Sequence, residues 1–171
     1  MLIEQYPWLL EPSLPTIIIR TVLAIVCAGI IGFDRDYHGA PAGFRTHILV
    51  CLGAMLAMTT GEFAHLYLGG ADPSRIGAQV ISGIGFLGAG TIIVTGRRRI
   101  SGLTTAAGLW ASACVGLAIG VGFYEGAIVG TLAILFTENI LKHVSIAIRH
   151  ANKTFEEVVH LEPNEEEHPE E

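Results

Sequence analysis

The residues best suited to chemistry are charged and polar groups set at the ends of long apolar runs. Asp34, Arg35 and Asp36 close one run, and Arg45 and Thr46 open the next. Thr104 and Thr105 open a later run, and Glu138 and Asn139 lie near the end of the last. Three carboxylates at similar depth could hold a hard cation such as Mg²⁺, which prefers carboxylate oxygen and retained water. Asp34, Asp36 and Glu138 are therefore the candidate metal ligands. The same residues, with Arg35 and Arg45, could instead form a structural ion network or end as helix charges solvated at lipid headgroups. A second constellation sits at the opposite ends of the runs. Arg20 and Glu62 each lie six residues inside an apolar stretch, roughly 9 Å below its boundary at 1.5 Å per residue. Matching depth and opposite charge suggest an intramembrane pair, which His65, one turn beyond Glu62, could join.

Catalytic patterns are missing from the string. Ser, His and Asp occur, but without a nucleophile elbow or zinc-spaced histidines. Glu62 and His65 have the Glu-x-x-His spacing of di-metal bundles, yet those need further carboxylates from facing helices, and the motif has no second copy. Gly83-Ile-Gly-Phe-Leu-Gly88 matches a dinucleotide fingerprint as letters only, because that loop must follow a strand and open a soluble helix. Here it lies inside an apolar run. We expect a protein that is not an enzyme, holds no organic cofactor and has no nucleic-acid partner. Mg²⁺ is the one ion the carboxylates suggest.

The elements that must position these groups follow from composition. Of 171 residues, 51% are hydrophobic and 15% charged, and the mean hydropathy is +0.54. Soluble domains carry about 25% charge. The charges that remain fall in short stretches, as a lipid-facing chain requires, since a charge at mid-bilayer costs about 2.5–3.5 kcal/mol on insertion scales. The net charge of −6 comes from six Glu between Leu161 and Glu171. Cys27, Cys51 and Cys114 all lie in apolar runs and read as small buried hydrophobes.

Five stretches approach the roughly 20 apolar residues a transmembrane helix needs: Leu14–Phe33, Thr46–Leu68, Ile76–Thr95, Leu103–Gly122 and Tyr124–Leu141. The last two are nearly continuous, so a re-entrant pair is an alternative to a tight turn. Residues 1–13 form a lead-in, with Tyr6 and Trp8 suited to the membrane interface. No positive n-region precedes Arg20, so a cleavable signal is not expected. The span region covers 14–141, and 142–171 reads as an acidic cytoplasmic tail. With the N-terminus outside, eight Lys and Arg fall in cytoplasmic segments, including Arg97–Arg99, against Arg75 alone in the outer loops. This positive-inside bias predicts an all-α polytopic bundle of about five transmembrane helices, N-terminus outside and C-terminus cytoplasmic. The Arg97–Arg99 run suits anionic lipid.

Every span carries small residues at helical spacing, the usual means of close helix approach in lipid. They are Ala24/Ala28/Gly32, Gly53/Ala57/Gly61, Ala78/Ser82/Gly85/Ala89, Gly108/Ser112/Gly116/Gly120 and Gly122/Gly126/Gly130. Five stripes predict a compact bundle, with one to spare for a second subunit and hence a homodimer.

Longer strings carry a family resemblance: Gly32-Phe-Asp-Arg-Asp36, Ala42-Gly-Phe-Arg-Thr-His47 running into Ile48-Leu-Val50, Arg75 through Gln79 to Gly90, and Gly102-Leu-Thr-Thr-Ala-Ala-Gly-Leu-Trp110. Over about Ile17 to Leu141 the chain resembles the MgtC/SapB family. The resemblance implies a multi-pass protein of the bacterial inner membrane, linked to growth at low Mg²⁺ (magnesium homeostasis) and to virulence. It implies regulation of other integral membrane proteins, the rotary ATP synthase among them, with divalent-cation transport as the alternative. It carries functional weight to Asp34, Arg35, Arg45, Thr46, Gln79, Ser82, Thr104, Thr105 and Trp110. The first acidic position is usually Glu and is Asp34 here. About 30 residues follow Leu141, which leads us to expect a short form without the ACT-like domain of many members.

Overall fold

A computed structural model describes residues 6–69, 72–95 and 99–140. Arg97, Arg98 and the 142–171 tail lie outside the described residues. A short 3-10 turn, Pro7–Leu9, precedes α1 (Leu14–Tyr37), α2 (Phe44–Leu68) and α3 (Ser74–Thr91). A small hairpin of β1 (Ile93–Thr95) and β2 (Arg99–Ser101) leads into α4 (Leu103–Gly120). The last helix, α5, covers 124–140 of the described residues. Among the described residues the fold is an all-α bundle of five helices, as the hydropathy pattern predicts. α1, α2 and α4 are long and apolar enough to cross a membrane.

Element boundaries follow local chemistry. Pro15 in the first turn of α1 leaves no interior amide unpaired. The helix then runs past Phe33 to Tyr37, so Asp34, Arg35 and Asp36 stand on its final turn rather than in a loop. His38 and Gly39 close it, donating their backbone N–H groups to the Asp34 and Asp36 carbonyls respectively. α2 ends at Gly69, whose φ of 60° is a left-handed cap that favours glycine. Before α3, the Asp72 carboxylate accepts the Ser74 N–H at 2.8 Å. The bonds from Ser74 hold the Asp72 carboxyl below its ordinary range. The predicted third span reached Thr95, but α3 stops at Thr91. The β-branched run Ile92–Thr95 prefers extended backbone, and Ile93–Thr95 pairs antiparallel with Arg99–Ser101. α4 and α5 are separate helices. Gly122, with φ 85°, turns the chain between them.

The core lies where α1, α2, α4 and the first half of α5 meet, around Cys27, Ala28, Cys51, Met55, Val115 and Ile119. Close approach is set by α4. A Cβ on Gly116 would stand 2.2 Å from the Cys51 carbonyl oxygen, and one on Gly120 would stand 2.7 Å from that of Met55. The predicted Gly108–Gly120 stripe is buried throughout, as are Ala24, Ala28 and Gly32 on α1.

Two other stripes are not buried throughout. On α3 the buried residues are Gly77, Ile84 and Gly88, while Ala78, Ser82, Gly85 and Ala89 are exposed. On α2, Gly53 is exposed, Ala57 half-buried and Gly61 buried, and the packed face also runs through Cys51, Ala54 and Met55. Small-residue spacing marks a face that can be approached closely but does not say by what. A second compact unit begins at Phe136 and holds the final described turn of α5.

This packing separates two kinds of glycine. Gly116→Val should lower the melting midpoint of detergent-solubilised protein, with a cost of about 1–3 kcal/mol from overpacking. Gly85→Ala, whose Cβ meets nothing within 4 Å, should leave the midpoint unchanged or raise it. Equal losses in both would contradict the packing described.

Candidate functional site

Polar side chains of the first unit gather at the two ends of the helices. At the end carrying the N-terminal lead-in, Arg20 is fully buried, with 0% exposure. An arginine has five N–H donors and cannot shed its charge. Burial is tolerable only if each donor finds an acceptor, and here each does. Nε donates to the Tyr124 hydroxyl at 3.3 Å. Nη1 donates to Glu62 Oε2 and to the Gly120 carbonyl, both at 2.7 Å, with the Thr59 hydroxyl at 3.4 Å. Nη2 donates to the carbonyls of Leu9 at 3.1 Å and Leu10 at 3.3 Å.

The acceptors are themselves oriented. The Tyr124 hydroxyl passes its own proton to the Leu9 carbonyl at 3.0 Å, and Thr59 donates to the Gly120 carbonyl at 3.3 Å. The lead-in, α1, α2, the end of α4 and the start of α5 therefore meet on one guanidinium. The sequence-predicted Arg20–Glu62 pair is present, with Glu62 17% exposed. His65 is exposed and makes no described hydrogen bond to the cage. Thr59, Tyr124 and the three backbone carbonyls were not foreseen. A tyrosine two residues past a glycine turn gave no charge signal, and carbonyl acceptors have no signature in a sequence. The lead-in, expected at the membrane interface, supplies two of those carbonyls.

The other end holds the residues singled out for function, and they divide among separate tasks. Arg35 Nη2 donates to the buried Thr105 hydroxyl at 3.2 Å, joining α1 to α4. Asp36 Oδ2 accepts the Phe44 N–H at 2.9 Å and so holds the first turn of α2. Gly43 makes room for it, since a Cβ there would overlap the Asp36 carboxylate. Asp34 Oδ1 stands 3.5 Å from His38 Nδ1. One residue missed from the sequence links this end to the core. His47 is fully buried, and its Nδ1 lies 2.8 Å from the Ser112 Oγ. A histidine one turn inside an apolar helix, facing a serine in a glycine stripe, was the available signal.

Six further candidates of the first unit do not join this cluster. Arg45 and Thr46 are exposed at the mouth of a groove between α2 and α3. Gln79 and Ser82 are exposed on the outer side of α3, where Ser82 bonds back to the Ala78 carbonyl at 3.2 Å. Thr104 is exposed, and Trp110 is 47% exposed. Glu138 belongs to the second unit. Among the described residues, no group of three His, Cys, Asp or Glu is arranged to hold a metal ion.

Comparison with known proteins gives these positions a context. The model of the MgtC family matches residues 21–146. The chain belongs to the MgtC family. It is 40% identical over 140 residues to "Putative magnesium transporter YhiD" of Escherichia coli (strain K12), covering 79% of this chain and 65% of that protein. It is 43% identical over 119 residues to Protein MgtC of Brucella abortus (strain 2308), covering 70% and 48%. Protein SapB of Bacillus subtilis (strain 168) is 35% identical over 142 residues, covering 80% and 60%. The chain thus spans less than two thirds of these MgtC relatives' length. No solved structure matches it. The family match begins just after Arg20 and takes in Glu62, Thr59, Gly120 and Tyr124, so most of the cage lies within the MgtC region.

Removing one partner from a buried ion pair leaves the other uncompensated. Arg20→Gln should cost about 3–5 kcal/mol and lower the melting midpoint in detergent. Glu62→Gln should cost less, because Glu62 is partly exposed and its amide still offers an oxygen. Unchanged midpoints in both variants would rule out the cage as a stabilising element.

Proposed function

We propose that this chain is a non-enzymatic regulator of other integral membrane proteins, acting by helix contact within the bacterial inner membrane. The observation that carries this reading is the outer face of α3. Gln79 and Ser82 lie exposed there beside Gly85 and Ala89, on a helix whose buried residues, among those described, lie on its opposite side. In lipid a side-chain amide gains most by bonding to another helix, and small residues let that helix come close.

The interior supports the same reading against conduction. The buried layer between the two polar ends is apolar, built from Cys27, Cys51, Met55, Val115 and Ile119. Of the polar side chains near it, Arg20 is caged and His47 Nδ1 is on Ser112, which leaves a vacancy, of these two, only at the buried His47 Nε2. An ion path needs polar groups with vacancies along its length. Family membership adds the link to magnesium limitation, and the Escherichia coli relative's name keeps Mg²⁺ transport as the competing reading. Regulation of an assembly such as the ATP synthase, a role in virulence and a homodimer all fit a protein working through exposed helix faces.

Purified protein in proteoliposomes with an internal Mg²⁺-sensitive dye should show no uptake above empty vesicles. The same gene should restore low-Mg²⁺ growth to a strain lacking its own family member. Gln79→Leu with Ser82→Leu should abolish that rescue at unchanged protein level. Uptake that Asp34→Asn abolishes would overturn the regulator in favour of the transporter.

A further inference from the structure

The α2–α3 groove has a shape and a charge that the proposed function does not use. α2 lines it with Leu49, Val50 and Gly53, α3 with Val80, Gly83 and Leu87, and Ala113 of α4 forms its floor. Its volume is about 730 Å³. Beyond the groove's lining, toward the loop that joins them, α2 and α3 converge. There, a Cβ on Gly61 would come within 2.9 Å of the Pro73 carbonyl oxygen, and one on Gly77 within 3.1 Å of Met58 Sδ. Farther along the same helices the walls stand apart. A Cβ on Gly53 or Gly83 would meet nothing within 4 Å. At the wide end sit Arg45 and Thr46. The Arg45 guanidinium is exposed and makes no hydrogen bond or ion pair with a described residue.

We infer that this groove seats one acyl chain of an anionic phospholipid, with the lipid phosphate on Arg45 and the Thr46 hydroxyl. The taper decides the occupant. A helix keeps a diameter of about 10 Å with its side chains and cannot enter a wedge that closes. A hydrocarbon chain narrows to a single file of methylenes and can. From Arg45 to Gly53 the groove runs roughly 12 Å along α2, a length suited to a substantial part of an acyl chain. The head end also matches. A guanidinium offers a planar fork that binds phosphate oxygens in pairs, and a neighbouring hydroxyl adds a donor. The positive-inside bias puts this end at the cytoplasmic leaflet, where anionic headgroups attract basic side chains. Gln79 lies one turn before Gly83 on the same side of α3, so the lipid site adjoins the face proposed for a protein partner.

The test is native mass spectrometry of the full chain in detergent, titrated separately with phosphatidylglycerol and phosphatidylcholine of identical acyl chains. The wild type should retain one phosphatidylglycerol, with a preference over phosphatidylcholine of about fivefold, the scale of one basic side chain's attraction to anionic lipid. Arg45→Gln should erase the preference while leaving weak retention of both lipids. Gly83→Leu, which fills the groove, should abolish retention of both. The melting midpoint of each variant without lipid should match the wild type, which separates site loss from misfolding. Equal retention of the two lipids by the wild type would overturn the proposal. So would a preference that survives Arg45→Gln, or a lipid-insensitive dimer that Gly83→Leu splits, which would make a second copy the occupant.

Discussion

The bundle is organised around a charge that cannot be neutralised. Arg20 sits inside the apolar body of the protein with every N–H bonded. No single helix can provide that many acceptors, so five separate segments must come to the same point. The carbonyl of Gly120 is available because α4 ends there, leaving an acceptor that a continuing helix would have used. The carbonyls of Leu9 and Leu10 are available because the lead-in is not part of a long helix. The cage thus uses the irregular parts of the backbone, and those parts are held in place by the charge they solvate.

Glycine sets the second constraint. α4 approaches α2 so closely at Gly116 and Gly120 that backbone meets backbone. That contact positions Ser112 against His47 and Thr105 against Arg35. The polar residues at the Asp34–Asp36 end are therefore registered by the same helix that closes the Arg20 cage at its other end. A shift of α4 along α2 would disturb both ends together. Asp36 has a more local task. Its carboxylate lies over Gly43 and holds the α2 amide of Phe44, fixing the bend between the first two helices.

Much of this architecture was legible in the sequence because it depends on length and charge. Five helices follow from five apolar runs, and α1 and α4 begin at the residues that hydropathy marked. The Arg20–Glu62 pair was legible because matching depth can be counted along a helix. Facing was not. The Ala78–Ala89 stripe of α3 has the same spacing as the buried Gly108–Gly120 stripe, yet one meets a neighbour and the other does not. Period tells which residues share a face, and only tertiary structure tells what that face meets. The functional cluster shows the same limit. Asp34, Arg35 and Asp36 are consecutive, so on a helix they point in three directions and serve three different partners. Thr59 and Tyr124 were invisible because neutral hydroxyls become significant only beside a buried charge.

The separation in sequence across the Arg20 cage has a consequence for biogenesis. Arg20 and Tyr124 are 104 residues apart. At translation rates of about 5–20 residues per second, Arg20 enters the membrane region roughly 5–20 s before its last partner is made. Glu62 arrives earlier, so the cation is first a two-helix hairpin's problem and only later a bundle's. The first two helices can be held as a provisional unit by that one ion pair. Gly120 and Tyr124 then replace whatever water or lipid headgroup has served the other donors. A chain interrupted before its fifth helix lacks only the Tyr124 acceptor, which leaves the Arg20 Nε–H without its partner.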